Sequence, residues 1–150
     1  MRLTSSAFVD GAVIPKQCTA DGEDQSPPLH WADGPPNTRS YALIVDDPDA
    51  PRGTWVHWVL FNLPADCREL SASAAAAGLP PEAKQGKNDF GKLGYGGPAP
   101  PRGKPHRYFF KIYALDTILN LLVGATKAQL EAAMKGHILA QGQLMGTYGR

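Results

Sequence analysis

The sequence predicts a mainly β protein, a sandwich or barrel with one or two short helices. Three observations lead there. First, 16 glycines and 14 prolines occupy about one position in five of the 150-residue chain, against roughly 12% in ordinary usage, and so many turn formers break long helices. Second, three runs of strand formers stand out, at 40–46, 54–63 and 106–115. Third, a clear helical period occurs only after Thr126. The length suits a single domain spanning 1–150. A chain of this size buries roughly 70% of its unfolded surface and folds without staples.

In chain order, the first forty residues are interrupted by Pro15, Pro27, Pro28, Pro35 and Pro36 and read as short edge strands between irregular loops. Tyr41 to Val45 is an apolar strand, which Asp47-Pro48-Asp49-Ala50-Pro51 stops. From Thr54 to Leu63, strict alternation puts Trp55, His57, Val59 and Phe61 on one side and Val56, Trp58 and Leu60 on the other. Both sides are largely apolar, which predicts a strand covered on both faces. Residues 64–105 carry the weakest strand signal. Ser71 to Gly78 is Ala-rich and reads as a turn of helix that Leu79-Pro80-Pro81 ends; 88–104 is dense in Gly and Pro, and long irregular segments of that kind often carry function. His106 to Leu115 is the third strong strand, with His106, Tyr108, Phe110, Ile112 and Ala114 facing one way. Thr126 and Gln129 have capping-box spacing. Leu130, Ala133, Met134, His137 and Ile138 form one helical stripe, with Gly136 marking an earlier stop. Leu139 to Thr147 reads as a last strand containing two glycines.

Composition excludes several classes. With 15 Lys and Arg against 14 Asp and Glu the net charge is +1, and the basic stripe of a nucleic-acid module is missing. No apolar run approaches the roughly 18 residues of a membrane span. The N-terminus lacks the apolar centre of a signal peptide, so a soluble, cytoplasmic protein is expected. Cys18 and Cys67 lack the close spacing of a redox or zinc pair and read as free thiols.

Three features carry potential chemistry. Asp47 and Asp49 lie in a Pro-pinned loop directly after a strand, His57 sits inside an apolar strand, and His106 and Tyr108 begin another strand on one shared face. Each alone has an ordinary structural explanation, turn chemistry for the aspartates and a hydrogen-bonded core residue for each histidine. Together, two imidazoles and a carboxylate leave three chemistries open. A carboxylate beside a histidine holds it protonated, and an imidazolium with loop N–H groups binds an anion such as phosphate. Two histidines and a carboxylate also match a non-haem iron site. An Asp–His pair can serve a nucleophile in hydrolysis. The hydrolase reading lacks a G-x-S-x-G elbow and any serine near the histidine-bearing strands. The metal reading lacks closely spaced ligands. No P-loop is present; the letters Gly94-Tyr95-Gly96-Gly97-Pro98-Ala99 fit a dinucleotide pattern, but Pro100 and Pro101 forbid the helix that must follow. No cofactor is expected.

Asp47-Pro48-Asp49-Ala50-Pro51, Trp55-Val56-His57-Trp58, Asn88-Asp89-Phe90-Gly91, Gly94-Tyr95-Gly96-Gly97-Pro98 and, after Pro100-Pro101, His106-Arg107-Tyr108 follow one another in an order that resembles the phosphatidylethanolamine-binding protein family, and above all its bacterial, Raf-kinase-inhibitor-like branch. The likeness runs from about Phe8 to the end. It implies a PEBP-like antiparallel β-sandwich and a non-enzymatic binding protein. It also implies a small pocket for phosphate-like anions, among them phospholipid headgroups and phosphorylated side chains. Asp47, His57, His106 and Tyr108 then belong to the pocket, with Trp55 as a wall, Pro101 following Pro100 in the proline pair, and Pro51 preceded by a cis peptide. Gly96 and Gly97 are expected to let backbone N–H groups approach the anion. Regulation of a kinase or protease, and a homodimer, come from the same analogy. The alternative is a hydrolase or metal-dependent enzyme using the same Asp/His/His set. Two departures stand out. The chain stops at Arg150 without the C-terminal helix of eukaryotic members, which implies a more open pocket. Ala99 stands where the bacterial branch commonly has cysteine.

Overall fold

Strand propensity and two-sided burial build the central sheet first. The structure is a computed structural model describing residues 1–150. Its strands are β1 (Leu3–Thr4), β2 (Leu29–Trp31), β3 (Ser40–Asp47), β4 (Trp55–Pro64), β5 (Glu69–Leu70), β6 (Lys84–Gln85), β7 (His106–Leu115) and β8 (Ile138–Tyr148); the one α-helix, α1, is Lys127–Met134. A five-stranded sheet has the order β6-β4-β3-β7-β8 and a three-stranded sheet the order β1-β2-β5. Every pairing between these strands is antiparallel.

All eight residues of β3 are buried. Their inward side chains, with those of β4 and β7, meet the small sheet in one apolar core holding Leu3, Trp31, Leu43, Trp58, Phe110 and Ile112. The opposite face of the large sheet is covered by α1 and the chain leading to it, where Ile44, Val59, Phe61, Leu119, Leu130 and Met134 pack together. This double cover is why β3 and β4 lack polar alternation. Asp46 is buried on that side and anchors the helix to the sheet. Its carboxylate meets Lys127 of α1 at 2.9 Å and Lys111 of β7 at 3.3 Å.

The helix starts as its sequence requires. Thr126 and Gln129 close a reciprocal capping box. It ends at Met134, before Gly136, which has φ +83°. His137 and Ile138 therefore leave the predicted stripe: His137 bonds Asp116 at 2.7 Å, and Ile138 opens β8. The Ala-rich stretch 71–78 forms turns rather than helix. Ser71–Ala74 and Ser73–Ala76 close as single turns, and Gly78 at φ +117° stops propagation. No helix is long and apolar enough to cross a membrane. Cys18, buried, and Cys67, half-buried, are both free thiols.

One irregularity sets up the site. Val45 pairs with Trp58 but Asp46 pairs with Val56, so His57 is the extra residue of a β-bulge. Strict alternation fails there. Val56 and Val59 share the helix-side core, and His57 turns with Trp58 toward the sandwich interior, where its ring meets Tyr108.

Candidate functional site

Three chain segments converge at one end of the large sheet around a cavity of about 170 Å³. That is room for several waters or for one small polyatomic anion. Asp47 from the end of β3, His57 from the bulge, and His106 with Tyr108 from the start of β7 line it. Pro51, Trp55 and Phe90 form part of the rim, and Ala99, Pro100 and Pro101 another part.

Each polar side chain is held by a specific bond. The carboxylate of Asp47, 3% exposed, has both oxygens engaged. Oδ1 accepts the Asp49 N–H at 2.7 Å, and Oδ2 accepts from His106 Nδ1–H at 2.6 Å. His106 is thereby oriented with Nε2 as its remaining ring nitrogen. His57 Nδ1–H donates to the Gly96 carbonyl at 2.6 Å, and the Gly96 N–H donates back to the His57 carbonyl at 2.9 Å. Its free nitrogen is again Nε2. Burial pushes the His57 pKa below its ordinary 6.5, against the raising effects of the Gly96 bond and the Asp47 charge. Asp47 touches only His106, and desolvation favours a neutral His57.

Tyr108 lies between the two imidazoles, its ring 5.2 Å from His57, edge on, and 6.5 Å from His106, nearly parallel. It is 1% exposed, and its hydroxyl has no hydrogen-bond partner. Burial, with the charge of Asp47, raises the phenol pKa, so the hydroxyl stays a donor.

The remaining predicted residues take other roles. Asp49 leaves the cavity and forms a two-pronged pair with the Arg107 guanidinium at 2.9 Å, while accepting the Arg107 N–H. These bonds hold its pKa down at about 2. The peptide before Pro51 is trans, since the chain has no cis bond. The Asp47 turn and the Asp49–Arg107 pair pin the loop instead. Gly96 and Gly97 do not lend N–H groups to the cavity. Gly96 is committed to His57, and the Gly97 N–H donates to Asp24 Oδ1 at 2.7 Å. Both are glycines for lack of space. A Cβ on Gly96 would lie 2.5 Å from the Phe90 ring, and one on Gly97 2.6 Å from the Cys18 carbonyl oxygen.

Metal and nucleophile chemistries find little here. No three His, Cys, Asp or Glu side chains are grouped to hold a metal ion, and the Asp47 oxygens are already engaged. The cavity lining includes no Ser, Thr, Cys or Lys.

Sequence reasoning missed the turn at Asn88–Gly91 as part of the wall. Asn88 Oδ1 accepts the N–H groups of Phe90 and Lys92, and Asp89 Oδ2 accepts the Val56 N–H at 2.7 Å. These bonds set the Phe90 ring 5.5 Å from both His57 and Trp55. The signal was an Asn ahead of Asp-Phe-Gly, the composition of a side-chain-stabilised turn.

A model of the family described as phosphatidylethanolamine-binding protein matches residues 4–149. The chain belongs to the phosphatidylethanolamine-binding protein family. Within that family it is 51% identical over 151 residues to a UPF0098 protein of Methanothermobacter thermautotrophicus, covering 100% of this chain and 99% of that one. It is 48% identical over 152 residues to a UPF0098 protein of Aquifex aeolicus, covering 100% and 89%. Two crystal structures share the fold over nearly their whole length. YbcL of E. coli, described as a member of the mammalian PEBP family, aligns with a TM-score of 0.93 at 33% identity, covering 99% of this chain and 98% of that one. A phosphatidylethanolamine-binding protein homologue from Chlamydia trachomatis gives 0.91 at 44%, covering 99% and 97%.

Proposed function

We propose that the protein is a non-enzymatic binding protein whose cavity holds one phosphate-like anion. The observation that carries this reading is the buried, unpartnered hydroxyl of Tyr108, whose ring lies between two imidazoles with both Nδ1 atoms already bonded. A buried polar atom without a partner is rare and calls for an explanation, here a bound ion or an ordered water. Asp47 is bonded to His106 Nδ1 at 2.6 Å, a counter-ion in place for an Nε2–H that donates to the anion beside the Tyr108 hydroxyl. Two donors then face the anion, and charge-assisted bonds of this kind are roughly twice as strong as neutral ones.

His57 selects the protonation state. Neutral with Nδ1–H facing Gly96, its Nε2 is an acceptor, which suits a phosphate oxygen that keeps its proton. If His57 takes that proton, it becomes a third donor to a dianion. Either way one proton lies between His57 and the anion. Affinity therefore falls as pH rises beyond the second pKa of the bound group, about 6 for a phosphate monoester and higher for inorganic phosphate, because the lone pair of His57 then faces a bare oxyanion.

Titration with inorganic phosphate, followed by the NMR signals of His57 and His106, tests this. Binding near pH 5.5 that moves both rings and weakens near pH 8 is expected, across the span in which histidine titrates. Equal affinity at both values, or binding that leaves both rings unmoved, defeats the reading.

A further inference from the structure

The cavity opens beside a second, wider depression of about 470 Å³. His106 and Pro101 line both. The charged lining of the wider basin is Arg102, Lys104 and Arg107 against one carboxylate, Asp49. Arg107 is already spent on Asp49 through its two-pronged pair. Arg102 and Lys104 are exposed and take no part in the ion pairs of the chain. Two cations outside any ion pair thus stand at the mouth of an anion cavity, on either side of the Gly103 N–H that donates to Arg150 O at 3.4 Å.

Their placement is built into the chain. They flank Gly103, whose φ of +132° turns the backbone, and Pro101 and Pro105 bracket the tripeptide. Proline fixes φ near −65°, so the segment loses less freedom when a ligand orders it. No side chain lining the basin is hydrophobic apart from the prolines. The lining offers no large apolar side chain to seat an acyl chain, whereas a second anionic group meets two cations outside any ion pair.

We propose that the ligand is an organic phosphate carrying a second anionic group, the phosphate seated in the cavity and the second group in the basin against Arg102 and Lys104. This rests on the anion reading of the cavity. It adds a ligand class that free phosphate does not satisfy, and it assigns Arg102 and Lys104 to recognition.

The test compares n-butyl phosphate with its analogue carrying a second phosphate at the far end of the same chain, by calorimetry at low salt. Two exposed ion pairs predict a preference of about tenfold for the bisphosphate, shrinking as salt is added. The Arg102→Gln/Lys104→Gln double variant, altered only at exposed loop positions, should keep the wild-type NMR fingerprint and its n-butyl phosphate binding but lose the preference. Lys104→Gln alone should retain part of it. Equal wild-type affinity for the two compounds overturns the proposal, and so does a preference that survives in the double variant. If n-butyl phosphate itself fails to bind, the cavity reading has failed and this inference falls with it.

Discussion

Replacing Tyr108 by Phe should stabilise the empty protein and weaken anion binding at once. The hydroxyl is buried with no partner, and leaving such a group unsatisfied costs about 1–3 kcal/mol. Phe keeps the ring and its packing against His57 and His106. Because the cavity opens to solvent, the lower end of that range applies, a gain of about 1 kcal/mol, or about 2–4 °C for a chain of this size. The same change removes a donor to a charged acceptor. That interaction contributes about 1.5–3 kcal/mol, so affinity should drop about tenfold to a hundredfold. Urea denaturation with and without inorganic phosphate reads both effects. At a phosphate concentration about 100 times the wild-type Kd, binding stabilises the wild type by about 2.7 kcal/mol. A variant binding tenfold more weakly gains only about 1.4 kcal/mol. Its initial lead therefore disappears in phosphate. A variant less stable than wild type without phosphate means the hydroxyl already has a partner, and equal phosphate stabilisation of both means it does not touch the anion. Either result refutes the reasoning.

Three further outcomes are expected. Asp47→Asn offers one acceptor where Asp49 N–H and His106 Nδ1–H need two; it should lose about 1.5–3 kcal/mol of stability and bind phosphate at least about tenfold more weakly, and intact affinity by calorimetry would show that His106 needs no counter-ion. His57 has a folded pKa lowered below 6.5, so its contribution to stability is present above about pH 6.5 and is lost as pH falls through the lower folded value, where the unfolded chain has already taken up the proton; the urea midpoint without phosphate should fall between about pH 7 and pH 5 and fall less in His57→Gln, and identical slopes in both would count against a neutral buried imidazole. Gly97→Ala presses a Cβ to 2.6 Å from the Cys18 carbonyl oxygen and 2.9 Å from Thr19 Cα, so backbone must move; a destabilisation of about 1–3 kcal/mol is expected, and an unchanged midpoint would show that the glycine is not required for space.

The strands were legible because their residues face the same requirement everywhere along their length. His106 to Leu115 forms a strand with the predicted residues inward, since alternation persists wherever pairing is regular. The capping box at Thr126 was legible because it is made within four residues. Alternation failed at His57, where a bulge that depends on the β3 pairing re-aims the side chain. The helical period by itself runs on to His137 and Ile138, but Gly136, legible as an earlier stop, ends the helix with its left-handed backbone. Gly96 and Gly97 looked like anion-binding backbone, but their N–H groups are taken by His57 and Asp24, partners 39 and 73 residues away.

Sequence alone settled which residue types are available: two histidines and an aspartate on or beside apolar strands, a tyrosine two places from one histidine, and glycine and proline where the chain must bend. Only the tertiary structure decided which nitrogen of each ring is free, which acid serves which base, and that one hydroxyl is left without a partner. The physical reason is range. Propensity, alternation and capping act over a few residues, whereas desolvation and hydrogen-bond pairing depend on what distant segments bring within about 3 Å.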